Sequence, residues 1–354
     1  MPSDLISPTP QRIRRGYFEE SVLQRKGVNL DAGSPATGAV LAGEYVAAGF
    51  GDGTLRFFHP EKPPLTVHAH HGAILCLASD YETNYVLTGG DDGRFLRVST
   101  KGGIEEITSF GTRWVDSVAA GPEWRACSSG RVAYLWGTED TDPKTFEHPS
   151  TVGGLAFNTD ATRLAVSHYG GVTVWERRKR GWKAKRLIWK GSHGALAFSP
   201  NGKFLVTAMQ ENALHGWRIR DKADMRMSGY PAKVKSFAWV GDEPFLATSG
   251  ANEAICWPFD GKDGPMGRAP QTCAYGGKQL CTTVAGFPGV PGVFAGFADG
   301  AVLAEQIISE PTSMVIKGSS GSAVSALAIS PAGWLLAGEE SGRVLWCKLS
   351  EGAG

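Results

Sequence analysis

Residues Ala195–Trp217 read ALAFSPNGKFLVTAMQENALHGW. A short apolar run, Ala195–Phe198, meets a turn at Ser199-Pro200-Asn201-Gly202. A second run, Phe204-Leu205-Val206, meets a polar turn at Gln210-Glu211-Asn212, and a third run ends on Trp217. Runs this short, separated by turn residues, are strands and not helices. Three such strands cannot bury their faces alone and need copies of themselves to pack against.

The chain supplies the copies. Phe58, Val98, Trp136, Trp175, Trp217 and Trp257 each close the third run of a unit, and successive spacings are 40, 38, 39, 42 and 40 residues. The Asp-Gly turns at Asp52 and Asp92 are 40 apart, and Phe157, Phe198 and Trp239 recur in first runs at intervals of 41. A further short run, for example Lys185–Trp189, separates one unit from the next. Four strands per unit of this length is the period of propeller blades. Eight units are counted, with seven as the alternative because the first and seventh match least well. The last unit stops at Ser350 after three strands. The segment Ser21–Gln24 is therefore expected to be a strand that completes it and closes the ring.

Composition agrees with this reading. The 354 residues include 47 Gly and 20 Pro, too many for long helices, while 42% hydrophobic content suffices for a large core. Formal net charge is +1, so no global field draws the chain to nucleic acid or membrane. The six cysteines form no CxxC pair and read as buried free thiols. The uncharged stretches 279–298 and 318–338 are broken by Pro and Gly and do not read as spanning helices. Residues 1–16 are expected to be a flexible tail, 17–350 a single all-β propeller and 351–354 a second tail, in a cytoplasmic protein.

The spacing and the Asp-Gly turns resemble the WD-repeat family from about Ser34 to Ser350. The best match is GGDDGRFLRV around Asp92, with His70-His71-Gly72 where the family carries its Gly-His pair. The blade tryptophans are followed by Gly137, Glu176, Arg218 and Pro258 instead of Asp. The family's network of His, Ser/Thr, Asp and Trp looks incomplete in every unit. The expectation is blades held by apolar packing and backbone ladders, with few buried polar networks. The resemblance implies a non-catalytic protein-interaction scaffold and carries no cofactor.

Four candidate sites remain. His68, His70 and His71 could ligate a metal, or His70 could be the structural histidine of a repeat. An enzyme with a channel metal would need converging acids, and the first strands offer little beyond Asp116. No phosphate loop, GxSxG or HExxH is present. The run from Glu176 to Arg186 holds Arg177, Arg178, Lys179, Arg180, Lys183, Lys185 and Arg186 around Trp182. On a hairpin it could contact phosphates or an acidic protein, or simply be a solvated tip. The slot before each first strand holds Ala73, Trp114, Thr151, Ser192, Lys233, Gln279 and Ala323. In a propeller this slot lines one rim. Trp114 with Arg113, Lys233 beside Tyr230, and Gln279 are the candidate partner contacts, because Trp, Tyr and Arg favour interface hot spots.

Overall fold

A computed structural model describes residues 17–349 except 243, 288–289 and 308–311. The expected tails, 1–16 and 351–354, lie outside the described residues. A short helix α1 (Val22–Lys26) and a strand β1 (Val28–Asp31) come first. The next sheets follow in chain order: β2 (Ala36–Ala42), β3 (Tyr45–Phe50), β4 (Thr54–His59), β5 (Lys62–His68); then β6 (Ile74–Ser79), β7 (Tyr85–Gly90), β8 (Arg94–Ser99), β9 (Ile104–Ser109); then β10 (Ser117–Gly121), β11 (Trp124–Ser129), β12 (Val132–Gly137), β13 (Lys144–Glu147). A six-stranded sheet is built from β14 (Gly154–Phe157), β15 (Arg163–Arg178), β16 (Gly181–Phe198), β17 (Phe204–Met209), β18 (Leu214–Arg218) and β19 (Asp224–Met227). Two more four-stranded sheets follow: β20 (Phe237–Val240), β21 (Phe245–Thr248), β22 (Ala254–Pro258), β23 (Gln271–Cys273); and β24 (Cys281–Gly286), β25 (Gly292–Phe297), β26 (Val302–Gln306), β27 (Met314–Lys317). The last sheet holds β28 (Val324–Ile329), β29 (Trp334–Glu339) and β30 (Arg343–Lys348), with β1 as its fourth strand.

The strands form seven hydrogen-bonded sheets, one of them six-stranded, where eight four-stranded blades were expected. The first and seventh sequence units, read as irregular, each form their own sheet. The fourth and fifth units share one. In β15 the chain folds back on itself, since Arg177 N–H donates to the Thr162 carbonyl at 2.8 Å. Strand β16 then runs without a break from its pairing with β15 to its pairing with β17. Gly191, at φ +109°, lets it bend without a loop.

The strand expected at Ser21–Gln24 is a helix start instead. Ser21 is the N-cap of α1, its hydroxyl accepting from Gln24 N–H. The strand paired antiparallel with β30 is Val28–Asp31, with Val28 opposite Trp346 and Asp31 opposite Arg343.

Middle strands are buried along their whole length, as in β11, β17 and β25. Both of their faces are covered, so they read as continuous apolar runs without alternation. The chain divides into two compact units, Val40–Phe57 with Pro63–Lys233, and the remainder. In the first unit Leu55, Phe57, Ile74 and Leu96 form one cluster, and Val174, Phe198, Leu205 and Trp217 another. In the second, Val293, Phe297 and Leu303 pack together, as do Ile329, Leu335 and Leu345. Each such side chain contributes about 1.5–3 kcal/mol by burial.

Candidate functional site

His70 is a structural group. Its Nδ1 lies 2.9 Å from an Asp92 carboxylate oxygen and its Nε2 2.9 Å from the Thr88 hydroxyl. A carboxylate only accepts, so Nδ1–H donates to Asp92 and Nε2 accepts from Thr88. Burial holds the His70 pKa below the usual histidine value, against the pull of Asp92. Burial alone would raise the Asp92 pKa, but hydrogen bonds from His70 and from the His71 and Arg94 amides outweigh it and hold the carboxyl low. Among the described residues, no group of three or more His, Cys, Asp or Glu is placed to hold a metal ion.

Buried polar networks are more numerous than expected. His168 Nδ1 donates to the Tyr169 carbonyl at 2.9 Å, and its Nε2 is 3.0 Å from the Thr173 hydroxyl. His193 sits between the Thr207 hydroxyl at 2.8 Å and the Trp189 carbonyl at 3.1 Å. The Trp175 indole N–H donates to His148 Nε2 at 3.2 Å. His215 stacks on Trp189 with ring centroids 4.0 Å apart. Burial pushes His148 and His215 each down to about 4, helped in turn by His168 and His193. In the second unit Lys317 Nζ and Glu339 form a buried ion pair at 2.5 Å, with the Ser320 and Ser341 hydroxyls donating to the same carboxylate. These histidines pair with Thr, Trp and carbonyl groups, which no local pattern marks.

The five rim candidates are placed differently from one another. Trp114 is 60% exposed, although Val115 beside it is buried. The exposed Arg113 lays its guanidinium 5.6 Å from the Phe110 ring centre. Lys233 is exposed and donates to the Gln210 side chain at 2.8 Å. Tyr230 is buried, and Gln279 is half-buried. Arg113, Trp114, Tyr230 and Lys233 belong to the first unit and Gln279 to the second.

The basic run is a hairpin, as expected, with Arg178 opposite Gly181 and Arg177 opposite Trp182. Trp182 is not a free stacking face. It packs edge-on against Trp124 at 5.3 Å and lies 6.3 Å from Phe146. Lys185 Nζ donates to the Ile219 carbonyl at 2.6 Å, Arg178 pairs with Glu176, and Arg177 reaches Glu123 at 3.5 Å. Lys179, Arg180, Lys183 and Arg186 are exposed.

Comparison with known proteins agrees with this geometry. The family model for the WD domain, G-beta repeat, matches residues 61–95, the stretch that contains the His70–Asp92 network. The WD repeat-containing protein 55 of Homo sapiens is 28% identical over 150 residues, 37% of this chain and 39% of that protein. By these matches the chain is similar to WD-repeat β-propellers. The WD repeat-containing protein 90 of Xenopus tropicalis is 27% identical over 120 residues, 30% of this propeller and 6% of that protein. The chain thus spans well under two thirds of either curated relative. Among solved structures, the computationally designed Ika8 protein has a TM-score of 0.70 at 18% identity, covering 91% of this propeller and 98% of that chain. The RRP9 WD40 repeats give 0.59 at 15% identity, covering 79% and 96%. Both are similar in fold alone.

Proposed function

We propose that this propeller is a non-catalytic platform that holds a protein or peptide through the rim around Trp114. The observation that carries this reading is the exposure of the Trp114 ring, at 60%, beside the exposed Arg113. Every other tryptophan described is buried or half-buried, and a tryptophan left in water with an arginine beside it in sequence matches the anchors of protein interfaces. Lys233 is a second exposed residue on the same unit, whereas Tyr230 is buried. WD-repeat propellers generally serve as interaction scaffolds, which supports the same reading.

The test is a pull-down from native lysate with the intact chain and with Trp114→Ala. The variant is expected to melt at the wild-type temperature and to lose a co-purifying protein. An unchanged set of bound proteins overturns the reading.

The second reading, association with nucleic acid through Arg177–Arg186, is favoured by the exposed Lys179, Arg180 and Lys183. It is weakened because the aromatic within the run, Trp182, is packed edge-on against Trp124.

A further inference from the structure

Strand β16 is the outermost strand of its hairpin over residues 181–190. One edge pairs with β15, from Arg178 opposite Gly181 to Gly171 opposite Ile188. Its pairing with β17 begins only at His193. Among the described residues, the other edge of the segment 181–190 meets no strand.

Outer strands elsewhere in the fold are short, blunted or covered. Strand β5 carries Pro63 and Pro64, which cannot donate to a ladder. In β9, Glu105 and Glu106 are engaged by Arg97 and Arg94. Strands β1, β13, β19 and β23 have only three or four residues. Strand β27 is covered by the chain itself. The Ser21 hydroxyl donates to the Ile316 carbonyl at 2.5 Å, Gly318 N–H to the Gln24 side chain at 2.8 Å, and Ser319 N–H to the Phe18 carbonyl at 2.9 Å.

Among the described residues, the β16 edge carries no proline and no backbone segment pairs with it, and its side chains are unusual. Ile188 is 77% exposed, the most exposed large apolar residue described, because the residue opposite it is Gly171 and offers no side chain to cover it. That glycine cannot be replaced to fill the gap. Its φ is +134°, and a Cβ there would lie 2.1 Å from the Leu187 carbonyl oxygen. Tyr169, two residues earlier, is 65% exposed. Lys183, Arg186 and Lys190 stand exposed along the same strand, with Lys179 and Arg180 at the hairpin tip.

We propose that this edge captures an extended acidic segment of another protein, which adds as a strand beside residues 183–190 and seats an apolar side chain on Ile188. Backbone pairing supplies the register, the lysines and arginines select acidic side chains, and Ile188 is the anchor. A protein segment fits better than nucleic acid. The strand edge offers a ladder that only a peptide backbone can complete, and the nearby Trp182 ring is occupied by Trp124. The surface is separate from Trp114 and independent of the rim reading.

The test uses a short fluorescein-labelled peptide of alternating Glu and Val, its copy methylated at alternate backbone nitrogens, and a labelled oligouridine, each titrated by anisotropy into the intact chain. The peptide is expected to bind with an affinity that falls as salt rises, and the methylated copy, equally charged, to fail. Ile188→Asp is expected to weaken binding by about tenfold or more, with an unchanged melting temperature because the side chain is in water. Absence of peptide binding, equal binding by the methylated copy, undiminished binding by Ile188→Asp, or binding of oligouridine alone overturns the proposal. The methylated probe needs only the wild-type chain, so the test stands if the variant fails to fold.

Discussion

Individual residues decide how the turns of this fold close. Gly93 and Gly111 both have positive φ, +77° and +67°, yet their surroundings differ. A Cβ at Gly93 would lie 2.1 Å from the Gly111 carbonyl oxygen, whereas one at Gly111 would meet nothing within 4 Å. The clash at Gly93 is backbone against backbone, because Phe110 N–H donates to the Gly93 carbonyl at 2.8 Å. Gly93→Ala should therefore cost about 3 kcal/mol or more, and Gly111→Ala only about 1 kcal/mol for the strained φ. Equilibrium urea denaturation of the two variants measures the difference, and equal losses would show that the loop yields. The role of Gly93 was legible in the Asp-Gly turn, as was the His70–Asp92 pair. The histidines at 148, 168, 193 and 215 were not, because their partners are hydroxyls, an indole and carbonyls brought close by folding.

Those histidines give the sheets of the first unit a pH dependence. His148 and His215 are held near 4 by burial, against an ordinary value of 6.5. The unfolded chain binds protons at these sites below pH 6.5 while the folded chain resists them. Stability is then fully present above pH 6.5 and is lost progressively as pH falls toward about 4. The loss reaches roughly 3 kcal/mol per histidine at the low end. Urea midpoints of the intact chain between pH 7.5 and 4.5 should fall, and the His215→Phe variant should fall less steeply. A parallel slope in the variant would show that other groups carry the effect.

At the level of elements, most of the strand ladder could be read from the sequence. The pegs at Phe58, Val98, Trp136, Trp217 and Trp257 lie in the third strand of their units, and Trp175 in the second half of β15 after it folds back. The misreading at Ser21–Gln24 had a local cause. Ser-Val-Leu-Gln is apolar enough for a strand, but Ser at the N-cap with Gln at the third helical position is a capping signature. The Gln24 side chain does not return to the cap. It accepts from Gly318 N–H instead, so the helix end is also a clamp on β27. Ser21→Ala removes the cap and the hydrogen bond to Ile316 together. It should cost about 2 kcal/mol, and amide exchange at Gly318 and Ser319 should quicken. Unchanged exchange there would show that the clamp rests on Phe18 alone.

For the whole molecule, the repeat period announced a propeller but could not count its blades. The count depends on hydrogen bonds, and nothing in the apolar pattern says that β16 continues from one unit into the next. The period also could not show how the first residues are used. They serve two sheets, with Phe18, Ser21 and Gln24 along β27 and Val28–Asp31 along β30. Removing residues 1–31 should leave both edges bare and uncover the pocket of the buried Phe18. The lost ladder, cap and burial together amount to several kcal/mol, which for a chain of this size lowers the melting temperature by about 10 °C or more. Calorimetry of the truncated chain checks this. A second, smaller truncation ending at residue 16 supplies the reference, because it keeps Tyr17 and Phe18 on Ser319. Equal melting of the two truncations would mean that β27 and β30 are stable without their cover. The bare edge of β16 would then be unremarkable in this fold, and its capture of a partner would rest on Ile188 and the basic side chains alone.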